Sequence, residues 1–233
     1  MKNEKLCAFS ILAAGLILAG AMLPAAVKVM KSYDRTVSVR GLCEREVKAD
    51  KVIWPIRFKV ASNDLGTIYR EIDSKQKSIE AFLKNGGVNQ SEISASLPEI
   101  SDRDAQEYGS GNRIYRYISA VTVTVCTNDV DKILSLMQEQ NKLIEQGIVI
   151  ESSYDSQPSF SFEGLNSIKP EMIQEATANA REAAQKFAND SGSRIGKIKN
   201  ASQGVFSIND RDSNTPQIKK VRVVTNVDYY LSR

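Results

Sequence analysis

Val52-Ile53-Trp54-Pro55-Ile56-Arg57-Phe58-Lys59-Val60 alternates in character nearly residue by residue. Trp54, Ile56, Phe58 and Val60 share one face, the pattern of a strand with one side buried. Pro55 points to the other face and carries no N–H, so a free edge or a bulge is expected beside it. The apolar face needs a cover, and the next segment supplies one. Asn63 or Asp64 can cap a helix in which Leu65, Ile68, Ile72, Ile79 and Phe82 recur at helical spacing, and Asn85-Gly86-Gly87 stops it.

The same grammar extends in both directions. Upstream, Val37, Val39, Gly41 and Cys43 lie on one face of an alternating segment, which is expected to form a hairpin with 52–60 through Val47-Lys-Ala-Asp50. Downstream, strands over 92–100 and 114–126 flank a polar loop, Ser101 to Asn112. A second helix is expected to be capped by Thr127 or Asn128, with Val130, Ile133, Leu134, Met137 and Ile144 inward and Gly147 at its end. Ile148–Ile150 and Phe160–Phe162 look like a short strand pair. The third helix carries Pro170 near its first turn and an inward row of Ile173, Ala176, Ala180, Ala184 and Phe187, closed by Gly192. Strands over 194–208 and 218–230 end the chain. The order ββ-α-ββ-α-ββ-α-ββ argues for an α+β protein made of two intertwined α/β sandwich subdomains. Ile100-Ser-Asp-Arg-Asp104 is echoed by Ile208-Asn-Asp-Arg-Asp212, each at a strand end before a Val/Thr-rich strand, which suggests an internal repeat.

In front of this body stands Leu6 to Val27, a run without a charge, flanked by Lys2 and Lys5 before and Lys28, Lys31 and Arg35 after. A helix of that length spans about 33 Å, enough for a hydrocarbon core of about 30 Å. The expected organisation is a short cytoplasmic tail (1–5), a transmembrane anchor or uncleaved signal (6–27), a linker (28–35) and a body of two α+β subdomains (36–231). The body is expected in the periplasm or outside the cell. The alternative is secretion after signal-peptide cleavage at Ala19-Gly20-Ala21. Cys7 precedes the apolar run and so is no lipoprotein cysteine.

Composition narrows the chemistry. The chain has no histidine, which removes Ser-His-Asp and Cys-His pairs and His metal triads. Without residues 1–27 the body keeps 29 basic and 27 acidic residues, and no basic cluster with interleaved aromatics marks a nucleic-acid binder. Cys43 and Cys126 alone cannot hold zinc or an iron–sulfur cluster. They fall on opposite kinds of strand face, so free thiols are expected, with a 43–126 disulfide as the alternative.

Asp210-Arg-Asp212-Ser-Asn214 superficially resembles the start of a calcium loop. It lacks the glycine of an EF-hand loop, and Val221 stands where a bidentate Glu belongs. Asp210, Asp212 and Asn214 are therefore weak metal candidates, with a solvated, self-paired turn the plainer reading. Asp102 with Asp104, or Asp210 with Asp212, could serve as an acid–base pair, although an arginine sits between the members of each. Tyr108, Tyr115 and Tyr117 near the polar loop and Tyr229 and Tyr230 on the last strand suit sheet faces and interfaces equally. Gly109-Ser-Gly111 opens no helix and is no phosphate loop. No catalytic residue or cofactor site is expected.

Several segments in order carry a family resemblance. They are Val37-Ser-Val39-Arg-Gly41, Leu83-Lys-Asn-Gly-Gly87-Val88, and ValThrValThrVal (121–125) running into Asp129-Val-Asp-Lys-Ile133. The Ala-rich helix Glu175–Ala184 follows, then Gly192 and Arg194-Ile-Gly196-Lys-Ile198. Over about residues 35–231 the body resembles the SIMPL-domain family, envelope or secreted proteins, mostly bacterial. The resemblance implies a two-part α/β body, export or membrane anchoring, no established enzyme activity, and large ring-like homo-oligomers. It also implies links to oxidative-stress defence in some members, to outer-membrane or periplasmic immunogenic proteins, and to signalling in animal relatives. The chain departs from the family's usual Val-x-Gly-x-Gly opening in having Cys43 at the second glycine. The expected function is a membrane-anchored, extracytoplasmic, non-enzymatic scaffold or interaction module in envelope or oxidative-stress defence. It would assemble as a homo-oligomer through exposed strand edges and the small-residue helix face. The alternatives are an envelope hydrolase using an acidic pair and a small-molecule or peptide-binding module with Ser101–Asn112 as a lid.

Overall fold

The structure is a computed structural model that describes residues 35–105, 114–153 and 156–232, together with positions 13, 15, 20 and 24, which are helical. The expected membrane span 6–27 otherwise lies outside the described residues. So do Tyr108 and most of the polar loop. No helix among the described residues is long and apolar enough to cross a membrane.

The described chain is α+β, with two antiparallel sheets. In order it forms β1 (Thr36–Lys48), β2 (Lys51–Ser62), α1 (Leu65–Asn85), a 3-10 turn (Gln90–Glu92), β3 (Ile93–Ala95), β4 (Glu99–Asp102) and β5 (Tyr117–Thr127). Then come α2 (Val130–Gln138), α3 (Asn141–Glu145), β6 (Ser159–Ser161), α4 (Leu165–Asp190), β7 (Arg194–Gln203), β8 (Ser207–Asp210) and β9 (Ile218–Ser232). The chain divides into two compact units, each discontinuous. Among the described residues unit 1 holds 35–45, 167–207 and 221–232, and unit 2 holds 46–105, 114–153, 156–166 and 208–220.

In unit 2 the sheet order is β3-β5-β2-β6, with β4 also on β5. β2 and β5 pair so that Trp54 faces Val125, Ile56 faces Val123 and Phe58 faces Val121. That double row of apolar residues packs with Ile68, Ile72, Ile79, Phe82 and Leu83 of α1 and with Val130, Ile133 and Leu136 of α2 in one core. Asp64 caps α1 as expected, accepting from the Thr67 N–H at 2.7 Å. Pro55 sits on β2 between the residues paired to β6, Lys51–Ile53, and the bridge from Phe58 to Ile150. No strand asks for its missing N–H there, which is the free edge the sequence requires.

Several expectations are corrected. β1 and β2 form no hairpin: β1 pairs with β9, and β2 with β5 and β6. The corner between them is held elsewhere, because the Ala49 N–H donates to the Gln217 carbonyl and the Asp50 carboxylate accepts from the Glu163 and Gly164 N–H groups. The strand expected over 92–100 is split at Ser96-Leu97-Pro98, since proline cannot continue the ladder. The expected pair of 148–150 with 160–162 does not form; both segments lie against β2 instead. The second helix is capped by Asp129, not by Thr127 or Asn128, and it breaks after Gln138. The break shifts the phase, so Leu143 is buried and Ile144 is 54% exposed. Leu65 is exposed as well.

Unit 1 is built from one helix on one sheet. β9 is flanked by β1 on one side and by β7 on the other. Met172, Ala176, Ala180, Ala184 and Ala188 of α4 are all fully buried, and Phe187, expected inward, is 60% exposed. An every-fourth-residue row of alanines is the real seam, and Phe187 lies one residue out of its phase. The alanines let the helix backbone come down onto β1. A methyl built on Gly41 would lie 1.8 Å from the Ala176 carbonyl oxygen and 2.6 Å from the Ala180 nitrogen. The small-residue face is thus covered by the chain's own sheet and is not an outward contact surface, contrary to expectation.

Two ladder contacts and one backbone bond set the β1–β9 register. Leu231 N–H donates to the Arg35 carbonyl, the Ser38 hydroxyl donates to Asp228, and Arg222 pairs with Glu44. The two residue numbers total 266 in all three. Odd-numbered β1 residues therefore turn their backbone groups to β9, and even-numbered ones turn theirs to the free side.

Gly41→Ala is expected to destabilise the chain by at least about 3 kcal/mol, because no rotamer change can relieve a clash with helix backbone. Chemical denaturation of the two proteins measures this. A shift under 1 kcal/mol would show that α4 can lift off β1 at little cost.

Candidate functional site

The two Asp-Arg-Asp segments fold alike. Each lies where an antiparallel strand pair closes, β4–β5 in one case and β8–β9 in the other. In the first, the Arg103 N–H donates to the Arg116 carbonyl at 2.9 Å; in the second, the Arg211 N–H donates to the Ile218 carbonyl at 2.9 Å. The Asp before each arginine then takes a cation from the returning strand. Asp102 accepts from Arg116 Nε at 3.1 Å and from its Nη2 at 2.8 Å, while Asp210 is paired with the Lys219 ammonium.

These partners define the electrostatics. The Arg116 hydrogen bond holds the Asp102 carboxyl below the ordinary carboxylate range. Arg116 also reaches Asp104 at 3.4 Å and stacks over the Tyr117 ring at 4.8 Å. Its N–H donates to Asn63 Oδ1 at 2.8 Å, and the Asn63 amide donates to the Ile114 carbonyl at 3.2 Å. Asp212 accepts from the Asn214 and Thr215 N–H groups, both at 2.9 Å, from the Thr215 hydroxyl and from Arg211 Nε at 3.0 Å. The Thr215 hydroxyl, then Arg211, lower its pKa to about 2. Arg211 further meets Glu46 at 3.5 Å. Asn214 contributes its backbone to this turn. Lys219 is the one member that is nearly buried, with 8% of its side chain exposed.

The geometry assigns these carboxylates to hairpin closure. A general acid needs a carboxyl held up near neutrality, and Asp102 and Asp212 are pushed the other way. The weak metal candidates are spent in the same manner, Asp210 on Lys219 and Asp212 on its own turn. Among the described residues no group of three or more Cys, Asp or Glu side chains is placed to hold a metal ion.

Cys43 and Cys126 are free thiols, the first buried and the second exposed. Burial, then a hydrogen bond with Glu175, pushes the Cys43 thiol up to about 11. Glu175 and Glu171 are gathered there by Arg45, at 3.5 and 2.8 Å. Tyr229 is buried on β9, and Tyr230 lies under the Lys199 ammonium at 5.7 Å.

A half-open cleft of 640 Å³ in unit 2 was not anticipated from the sequence. Lys48, Asn128, Asp129, Asp131, Leu134 and Gln217 are among its lining. Asp129 caps α2 by accepting from the Lys132 N–H at 3.2 Å, and Lys48 and Asp131 pair at 3.4 Å. Both charges at the rim are thereby matched, and the helix terminus is already satisfied by its own aspartate. The only sequence signal for this cleft was the pair of polar corners, Lys48–Asp50 and Asn128–Asp129.

The fold and these ends define a class: an α+β protein of two units, each laying a helix on an antiparallel sheet, with its charged motifs used in closure. The family described as SIMPL, protein of unknown function (DUF541), matches residues 37–229, and the chain belongs to that family. No curated protein matches the chain.

Two outcomes are expected at the thiols. At pH 8 a maleimide labels Cys126 in the native body and leaves Cys43 unmodified until denaturant is added; equal rates at both would contradict the burial of Cys43. Cys43 has its folded pKa raised above the ordinary 9.0. The folded state thus holds that proton more tightly than the unfolded chain, so the contribution is intact below about pH 9 and is lost as pH rises toward 11. Denaturation midpoints between pH 8 and 11 should fall more steeply for the natural chain than for Cys43→Ala.

Proposed function

We propose that the chain is a membrane-anchored, extracytoplasmic SIMPL-domain protein that acts without catalysis, as an oligomeric scaffold or interaction module in envelope or oxidative-stress defence. The observation that carries this reading is the commitment of the motif carboxylates. Asp102, Asp210 and Asp212 are each taken up by a cation or a turn. Charges used in this way stiffen hairpin ends, and at Asp102 and Asp212 the same bonds favour the ionised carboxylate. What the body offers to a partner is surface and strand edge. The uncharged run Leu6 to Val27 supports placement at a membrane, with secretion after cleavage as the alternative fate.

The test uses the full-length chain in its own cells. Membrane fractionation with N-terminal sequencing should find the intact N-terminus in the membrane pellet. The detergent-solubilised protein should then sediment as a multiple of the chain mass. A monomer at high micromolar concentration overturns the scaffold reading, and a soluble mature protein beginning after residue 21 overturns the anchor.

A further inference from the structure

The two units share one chain plan, and the plan exposes an unfilled position. Unit 2 runs β2, α1, β3/β4, β5, with β5 between β2 and the split strand. The sheet of unit 1 follows the same run, β1, α4, β7/β8, β9, with β9 between β1 and the split strand, although most of β8 and the first residues of β9 belong to the segment 208–220 of unit 2. β1 therefore corresponds to β2. The outer side of β2 is occupied: β6 pairs with it antiparallel over Lys51–Ile53, and the Glu151 N–H donates to the Arg57 carbonyl. Among the described residues no strand lies on the outer side of β1.

We infer that the free side of β1 pairs antiparallel with β1 of a second copy of this chain, about a two-fold axis at Leu42. This rests on the scaffold reading above and names the surface it would use. In the β1–β9 register Ser38, Arg40, Leu42 and Glu44 turn their backbone groups away from β9. Charge and the leucine together select the pairing: centred on Cys43, Arg40 would stand opposite Glu46, which already meets Arg211 at 3.5 Å, and Leu42 would meet the charged Glu44. Centred on Leu42, Arg40 of each copy stands opposite Glu44 of the other, twice by symmetry. Moving the axis by one such step to Arg40 or to Glu44 sets like charges face to face. Arg40 is exposed and has no ion pair among the described residues, whereas Glu44 is flanked on its other side by Arg222 at 3.5 Å. Leu42, at 40% exposed, would meet its own copy. The Leu42 carbonyl already accepts from the Asn179 amide at 2.8 Å, and its second lone pair is left for the partner's N–H.

The other edge is a poor competitor. β7 carries register shifts between Ile195 and Ile198 and between Ile198 and Asn200, and it bears Arg194, Lys197 and Lys199. Bulges and repeated cations are devices that keep an edge from pairing.

The experiment uses the full-length chain in detergent. Leu42→Cys, in a Cys7→Ser, Cys126→Ser background, should form a covalent dimer on mild oxidation, while Val224→Cys on the neighbouring strand should not. Arg40→Glu should weaken the dimer on the order of tenfold by sedimentation, through two repulsive contacts. Adding Glu44→Arg should restore it. Circular dichroism checks that each variant folds. If the natural chain is oligomeric but these substitutions and Leu42→Cys leave it unmoved, the β1 pairing is overturned and the scaffold reading stands. If the natural chain is monomeric, both fall.

Discussion

The contact of α4 with Gly41 governs unit 1. A helix normally stands off a sheet by the length of the side chains between them. Here the Ala176 carbonyl and the Ala180 N–H, neighbours one helical turn apart, lie directly on a residue with no side chain. Everything else in the unit is scaled to that distance. The helix row must be alanine at 176, 180, 184 and 188, with Met172 filling the wider end, and all five are fully buried. The strand beneath must place small groups on the same face, and it does so with Gly41 and Cys43. Cys43 in the position of the family's usual second glycine is tolerated because its thiol reaches toward Glu175, beside Arg45, at the margin of the helix.

Unit 2 follows the same chain plan with the opposite packing choice. Its helix presents Ile68, Ile72, Ile79, Phe82 and Leu83 to Trp54, Ile56 and Phe58, so the layers are held apart by large side chains. The correspondence extends to details that packing does not dictate. Both α1 and α4 end in a glycine at positive φ, 81° at Gly87 and 63° at Gly192. In both, the next residue's N–H reaches back five positions, Val88 to Leu83 and Ser193 to Ala188. Each helix is followed by a split strand, an Asp-Arg-Asp closure and a long central strand. A duplicated plan that keeps its caps and closures while its cores diverge is what separate selection on two packed layers produces. Surface geometry is set locally, and core volume is renegotiated as a whole.

The sequence made the individual elements legible and left their partners obscure. Alternation over 52–60 and the Val/Thr run within 114–126 identified two strands, though not that they pair with each other, and of the two caps offered by Asn63 and Asp64 it is Asp64 whose carboxylate has a donor three residues on. The hairpin expected between β1 and β2 was wrong for a physical reason: a short polar link permits a tight turn but does not require one, and Asp50 and Ala49 instead spend their bonding groups on distant backbone. Phase errors were equally local. Ile144 and Phe187 fit a continuous helical count, yet α2 stops after Gln138 and α4 uses its alanine row, so the large side chain in each case faces outward. The repeat hinted at by two pentapeptides is present in the fold as two alike closures, Arg103 N–H on the Arg116 carbonyl just before β5 and Arg211 N–H on the Ile218 carbonyl that opens β9.

The most charged segments are the least available, and Asp210 to Asn214 forms the self-paired turn that is the plainer reading of its sequence. In water a cluster such as Asp210-Arg-Asp212 invites a metal or a substrate. In the fold each carboxylate has a nearer claimant: a lysine whose stem is almost wholly buried, a threonine hydroxyl with two backbone N–H groups, or a guanidinium stacked on Tyr117. Such networks hold both hairpin closures in one geometry, and the bonds to Asp102 and Asp212 favour their ionised forms, with Asp212 lowered to about 2. Among the described residues the strand β1 offers groups of another kind: no strand pairs with its outer side, and Arg40 stands exposed on it without an ion pair. Backbone groups recognise other backbone, and that directs attention from the motifs to the edge.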